Sequence, residues 1–167
     1  MSADEVLVRP IEDADWPSFL PVFREVVASG ESYAYPADLG SEEARSLWVE
    51  APPGLTVVAV DGSGTVLGSA KTGPNRPGRG AHVATASFMV SSAARGRGVG
   101  RLLGEWVLDW AREQGYAAMQ FNAVVETNTA AVALWRELGF TVIGTVPEAF
   151  ESAAHGRVGL HVMHRYL

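Results

Sequence analysis

The sequence predicts an α/β sandwich around a mixed sheet, and three observations carry that reading. Two β-branched runs in the first half flank a hairpin turn and a third strand follows them, which makes an antiparallel meander. A glycine-rich turn then leads from a strand into the most amphipathic helix of the chain, which implies a right-handed crossover into the next strand. Strand and helix periodicities alternate to the end, in the order β-α-α-β-β-β-α-β-α-β-β.

Val6 to Val8 is the first strand. Asp13 or Asp15 can cap a helix in which Trp16, Phe19, Leu20, Phe23, Val26 and Val27 recur at three- and four-residue steps, ending near Gly30. Glu31 to Gly40, with two tyrosines and a proline, reads as a loop. Ser41 offers a hydroxyl cap with Glu42 and Glu43 in the first turn, for a helix that stops before Pro52-Pro53. Thr56 to Val60 and Val66 to Lys71 are strands joined by Asp61-Gly62-Ser63-Gly64. After a Pro/Gly-rich loop from Gly73 to Gly80 comes a strand over Ala81 to Val90. Beyond Gly98, the apolar residues Val99, Leu102, Leu103, Trp106, Val107, Trp110 and Ala111 form one helical stripe, with Arg101, Glu105, Asp109 and Glu113 opposite and Gly115 as the stop. Ala118 to Val125 is a strand, and Thr129 to Leu138 is a helix capped by Thr127 or Asn128 and ended by Gly139. Phe140 to Val146 and Val158 to Tyr166 complete the strands, with a loop expected from Pro147 to Gly156.

Composition narrows the chemistry. A chain of 167 residues, 47% hydrophobic and 19% charged, is expected to form one domain over 1–167 with a core of its own. With no cysteine there is no disulfide, thiolate zinc site or cysteine nucleophile. His155, His161 and His164 do not make a metal site, because His161 and His164 stand three apart on a strand and face opposite sides. The first ten residues lack the apolar run of a signal peptide, and no segment approaches the roughly 18 apolar residues of a membrane span. A soluble cytoplasmic protein is the expectation.

A net charge of -6 argues against a general binder of nucleic acid or anionic membranes. The distribution is uneven, however. Between Asp61 and Glu105 no acidic residue occurs, yet Lys71, Arg76, Arg79, Arg95, Arg97 and Arg101 lie there. A basic island in an acidic chain points to a small polyanion.

Arg95-Gly96-Arg97-Gly98-Val99-Gly100 places that anion between a strand and a helix start. Glycines let the backbone turn sharply and present bare N–H groups, and the helix start adds about half a positive charge. Each N–H to phosphate bond contributes about 1.5–3 kcal/mol. Neither the Walker spacing nor Gly-x-Gly-x-x-Gly is present; the pattern is Arg-x-x-Gly-x-Gly.

That pattern after Phe88-Met89-Val90, followed by Asn128-x-x-Ala131-x-x-Leu134-Trp135-x-x-x-Gly139-Phe140, resembles the GNAT superfamily of acyl-CoA-dependent N-acyltransferases. The resemblance implies a single GNAT-like domain with a mixed, mostly antiparallel sheet, a splayed central strand pair and flanking helices. It also implies acetyl-CoA as co-substrate and no metal. The pyrophosphate would lie on the amides of Arg97 to Arg101, with Arg95 and Gly96 beside it, and the pantetheine would pair with Met89 and Val90 like an added strand. Asn128 would bond the pantetheine near the thioester. Many members carry a tyrosine that protonates the thiolate where this chain has Trp135, and an indole N–H is no useful acid. Homodimers are frequent in the superfamily, though no residue here marks an interface.

Direct transfer in a ternary complex needs no protein nucleophile. The Val90 N–H is the expected oxyanion donor. Glu126 and His82 are candidate bases, needed for an alkylamine of pKa near 10.4 and not for an α-amine near 8. More narrowly, Met119 to Asn128, His82 to Val90 and Ile143 to Pro147 resemble the proline-analogue N-acetyltransferases and their bacterial relatives. That likeness implies that Asn122 holds a substrate carboxylate, with Phe121 beside it on the same strand, while Thr85 replaces a second asparagine of those proteins. Tyr33, Tyr35 and Phe150 are expected to line the acceptor pocket from two loops. The acceptor is then a small amine or amino acid; the alternatives are a protein N-terminus or lysine, or acyl-CoA binding without catalysis.

Overall fold

The computed structural model describes residues 5–167, so what was read from the first four residues lies outside it. Among the described residues, seven strands form one sheet in the order β1-β2-β3-β4-β5-β7-β6. They are β1 (Leu7–Pro10), β2 (Leu55–Val60), β3 (Val66–Pro74), β4 (Val83–Val90), β5 (Ala118–Val125), β6 (Thr141–Ser152) and β7 (Gly156–Tyr166). Only the central pair, β4 with β5, runs parallel, because the helix α3 (Val99–Glu113) crosses over between them.

The helices take opposite faces. Helices α1 (Trp16–Ser29) and α2 (Ser41–Trp48) cover one with Trp16, Phe19, Phe23 and Trp48 packed on Val58 and Met89. On the other, α3 and α4 (Thr129–Glu137) bury Leu103, Val107 and Trp135 against Val57, Ala84 and Phe121. The period of two along β4 divides its side chains accordingly, with Ala86, Phe88 and Val90 toward α3 and Met89 toward α1. Gly104 lets α4 close on α3, since a Cβ there would stand 2.8 Å from Leu138 Cδ1 and 3.1 Å from Trp135 Cζ3.

The chain departs from expectation in four places. Asp15 does not cap α1; it makes a bidentate ion pair with Arg9 and accepts the Glu12 N–H, while Asp13 pairs with Arg45. Ser41 does not cap α2, because its Oγ accepts from Trp16 Nε1 across the helix pair. Residues 81–82 fall outside β4, since a 3-10 turn at Gly78–Gly80 delays the strand to Val83. Most of the segment from Pro147 to Gly156 is strand: β6 runs to Ser152 and turns back at once into β7. Pro147 is tolerated because β6 is an edge strand and its register breaks between Val146 and Phe150.

Candidate active site

The parallel pairing of β4 and β5 lasts only two residues, Val83 with Ala118 and Ala84 with Met119, and then the strands part. The cleft between them is a cavity of about 1220 Å³, bounded by β4, β5, the N-termini of α3 and α4, the 30–40 loop and the tip of the β6–β7 hairpin. Two sets of hydrogen-bonding groups face it.

The first is the start of α3. Gly96 and Gly98 take left-handed conformations, φ 77 and 73, and a Cβ on either would meet nothing within 4 Å. The Gly98 carbonyl begins the helix by accepting from Leu102, and no side chain caps it. The N–H groups from Gly98 to Arg101 therefore have no helical partner. Arg97 differs, since its N–H donates to Ala94 C=O at 3.3 Å; the expected cradle shortens by that residue.

The second set is the inner edge of β4. Alternation along the antiparallel ladder sends the main-chain groups of Ala86, Phe88 and Val90 toward the cleft and those of Ser87 and Met89 toward β3. Met89 thus cannot pair with a ligand through its backbone, contrary to expectation; its side chain is buried against α1 and α2. At Phe88 the cleft-facing pair is met by the Tyr33 hydroxyl, which accepts from Phe88 N–H at 2.8 Å and donates to its C=O at 2.6 Å.

Asn128 caps α4, its Oδ1 accepting from Ala131 N–H at 3.4 Å, and its Nδ2 has no protein acceptor among the described residues. Beside it, Thr127 Oγ1 is buried with no partner and lines the cavity. A buried hydroxyl left unpaired is costly, and a polar ligand in the cleft would satisfy it.

Of the other predicted residues, Arg95, Val99, Gly100, Trp135, Thr85, Phe121, Asn122, Tyr35 and Phe150 all line the cavity. Trp135 also packs the core, 4.6 Å from the Phe88 ring and 4.9 Å from that of Phe121. Asn122 sits where the β5 register slips by one residue against β7, between Phe121 and Val124. Such a bulge re-aims side chains, and Asn122 Nδ2 donates to Asn75 Oδ1 at 2.6 Å while its own Oδ1 accepts from Gln120. This amide chain was not foreseen, because Asn75 belongs to a loop with no periodicity to place it.

Several charged expectations move away from the cleft. Glu126 is exposed outside the lining and its Oε1 accepts the Gly159 N–H at 2.7 Å, where only glycine leaves room. His82 is exposed in the turn just before β4, also outside. Neither is placed to act as a base. Asp61, whose carboxyl is held below its ordinary range first by hydrogen bonds from Ser63 and Thr65, also lies near Arg97, and Arg97 does not line the cavity. Arg101 does line it but is bound to Glu137 and, at 3.5 Å, to Glu105. Lys71 donates to Leu47 C=O at 2.7 Å and lies over the Trp48 ring. The acid-free stretch of sequence is therefore not acid-free in space. Glu25 also lines the cleft, held below the usual carboxylate range by hydrogen bonds from Ser92 and by nearby Arg95.

Among the described residues no cluster of His, Cys, Asp and Glu could hold a metal, and no helix is long and apolar enough to cross a membrane.

Known proteins share this arrangement. The chain is 32% identical over 147 residues to the L-methionine sulfoximine/L-methionine sulfone acetyltransferase of Pseudomonas aeruginosa, covering 84% of this chain and 83% of that protein. Of two other curated relatives, 34% and 37% identical, it spans only 49% and 12% of the length. A GCN5-related N-acetyltransferase from Kribbella flavida superposes with a TM-score of 0.95 at 64% identity, over 99% of this chain and all of that one, 100%. A GNAT superfamily phosphinothricin acetyltransferase from Sinorhizobium meliloti, solved in complex with acetyl-CoA, superposes at 0.86 with 25% identity, over 97% of this chain and 88% of that one. The Acetyltransferase (GNAT) family profile matches residues 11–140, and with the splayed β4–β5 pair and the glycine-led α3 the chain belongs to that family.

Proposed function

We propose that this chain is an acetyl-CoA-dependent N-acetyltransferase that moves an acetyl group directly to the amine of a small molecule, an amino acid or an analogue of one. The observation that carries this reading is a pair of hydrogen-bonding sets in one cleft: bare N–H groups at the α3 start, and the cleft-facing main-chain groups of Ala86 and Val90 on either side of the Phe88 pair that Tyr33 meets. A diphosphate fits the first and an extended amide chain the second, which is the chemistry of coenzyme A. In this reading Gly98 to Arg101 hold the diphosphate, with Arg95 and Gly96 at its side, and Val90 pairs with the pantetheine. Asn128 Nδ2 and Thr127 Oγ1 donate to it near the thioester. The complex of the Sinorhizobium relative with acetyl-CoA supports the donor.

At the other end, the Asn75–Asn122–Gln120 chain offers amide groups that suit an acceptor carboxylate, and Arg76 follows Asn75 directly in the loop. Two relatives whose names specify methionine sulfoximine and phosphinothricin support a small amino-acid-like acceptor. The finer likeness to the proline-analogue enzymes rests on Asn122 and lacks their second asparagine at Thr85. With Glu126 and His82 outside the cleft, an α-amine is the fitting nucleophile, since its deprotonation at neutral pH costs only about 1 kcal/mol.

Thiol release from acetyl-CoA, followed over a panel of amino acids, polyamines and peptides, tests the proposal. Turnover with an amino acid or analogue supports it. Turnover confined to peptides would replace the acceptor, and acetyl-CoA binding with no turnover across the panel would make the chain a binding module.

A further inference from the structure

Tyr33 divides the inner edge of β4 into two halves. Its hydroxyl accepts from Phe88 N–H at 2.8 Å and donates to Phe88 C=O at 2.6 Å, so one oxygen makes both bonds that a paired antiparallel residue would make there. Toward the C-terminal end of β4 stand the main-chain groups of Val90 and then the bare start of α3; toward the other end stand those of Ala86 and the Asn75–Asn122 amides. The ring is fixed from behind. It stacks parallel on Tyr35 at 5.7 Å, Tyr35 stacks on Phe23 at 5.5 Å, and the fully buried Trp48 stands edge-on to Tyr33 at 6.2 Å. Burial pushes the phenol pKa far up, so the hydroxyl keeps its proton, and with it both bonds, throughout the neutral range.

Building on the acetyltransferase reading, we propose that Tyr33 determines which acyl group the protein accepts: it ends the track that acyl-CoA follows along β4 and so restricts the acyl chain to acetyl. A ligand chain that pairs with Val90 like an added strand meets the phenol at the next cleft-facing residue, Phe88, whose N–H and C=O the hydroxyl already holds. Two residues of strand span about 6.6–6.8 Å. With the last pantetheine amide at Val90, five bonds run from its nitrogen through two methylenes, the sulfur and the carbonyl carbon to the acetyl methyl, or about 6.5 Å at roughly 1.3 Å of advance per bond. An acetyl group therefore just reaches the wall, and a butyryl group overruns it by about 2.5 Å.

The surroundings give an overlong chain little room to turn aside. Trp135 closes the α4 side, packed 4.6 Å from the Phe88 ring and 4.9 Å from that of Phe121. The loop that carries Tyr33 is tied to the β6–β7 tip, where Gly30 C=O accepts from Ala153 N–H and Glu31 accepts from Ser152 Oγ and Ala154 N–H. Lifting the wall would break these bonds together with both bonds to Phe88. Overfilling the site therefore resembles overpacking a core, in which extra methylenes are penalised because the neighbours cannot yield.

Titration calorimetry with coenzyme A and with acetyl-, propionyl- and butyryl-CoA tests this without needing the acceptor. Wild type should bind the longer chains progressively more weakly, with butyryl-CoA at least about tenfold below acetyl-CoA. Tyr33→Phe keeps the ring and its stacking and shortens the wall by the hydroxyl, so propionyl-CoA should come within threefold of acetyl-CoA while butyryl-CoA stays excluded. Tyr33→Ala removes the wall and should bind butyryl-CoA at least as tightly as acetyl-CoA. If that variant fails to fold, the propionyl shift in Tyr33→Phe decides alone. A loop merely loosened by substitution would weaken all four ligands together and leave their ratios as in wild type. Such unchanged ratios, or a wild type that binds butyryl-CoA within threefold of acetyl-CoA, overturn the proposal. A wild type that binds neither coenzyme A nor acetyl-CoA overturns the acetyltransferase reading itself.

Discussion

Replacing Gly98 separates backbone strain from charge in the proposed diphosphate cradle. Gly98 adopts φ 73, and a Cβ would meet nothing within 4 Å, so alanine introduces left-handed strain without a clash. That strain costs about 1–2 kcal/mol of folding stability. Because the N–H groups remain, Gly98→Ala should weaken acetyl-CoA binding less than threefold. Gly98→Glu adds the same strain and a negative charge at the mouth of an exposed loop. With about 6 Å between the carboxylate and each phosphate charge and an effective dielectric of about 40, the repulsion is about 1.4 kcal/mol per charge. For two charges the sum is about 2.8 kcal/mol, or roughly a hundredfold in Kd. Titration calorimetry on both variants measures this, repeated with acetyl-pantetheine, which lacks the diphosphate. If Gly98→Glu binds acetyl-CoA within threefold of Gly98→Ala, or loses as much affinity for acetyl-pantetheine, the anion assignment is refuted. Salt should narrow the gap between the two variants.

Three further outcomes are expected. Asn122→Ala should raise the acceptor KM by about 10- to 100-fold, the value of a hydrogen bond to a carboxylate, and that of acetyl-CoA far less; equal effects on both would remove Asn122 from the acceptor site. Gly104→Val should destabilise by about 1–3 kcal/mol in urea, because α4 leaves no room for the added methyls; an unchanged midpoint would mean that α4 yields freely. Asp15, whose carboxyl is held below its usual range mainly by the Arg9 hydrogen bonds, contributes stability above its unfolded pKa of about 3.9 that is lost as pH falls through its lower folded value. Asp15→Asn should therefore flatten the acid limb of urea midpoints taken between pH 6 and 3, and two parallel acid limbs would refute the linkage.

Local signals located most elements because each depends on neighbours along the chain. The stripe from Val99 to Ala111, the Asp61 to Gly64 turn and a cap at Thr127 or Asn128 are decided within one or two turns of backbone; the first two appear where expected, and of the two cap candidates Asn128 is the one used. Capping by Asp15 and Ser41 failed for the opposite reason, since Arg9 and Trp16, from other elements, compete for the same oxygens. The segment after Pro147 is strand where a loop is expected, because strand continuity there comes from pairing with β7, to which proline punctuation is blind.

For the site, the sequence by itself determined the glycine-led helix start and the asparagine before α4, since positive φ and helix capping are properties of single residues and their immediate neighbours. It also showed a basic island. Only the tertiary structure decided what that charge does: Glu137 and Glu105 engage Arg101, Asp61 lies near Arg97, and Lys71 serves the α2 end. Likewise, the meeting of Tyr33 with Phe88, 55 positions apart, and of Asn75 with Asn122, 47 apart, depends on where the sheet splays and bulges. Electrostatic and hydrogen-bond partners are chosen by distance in space, and no spacing along the chain encodes it.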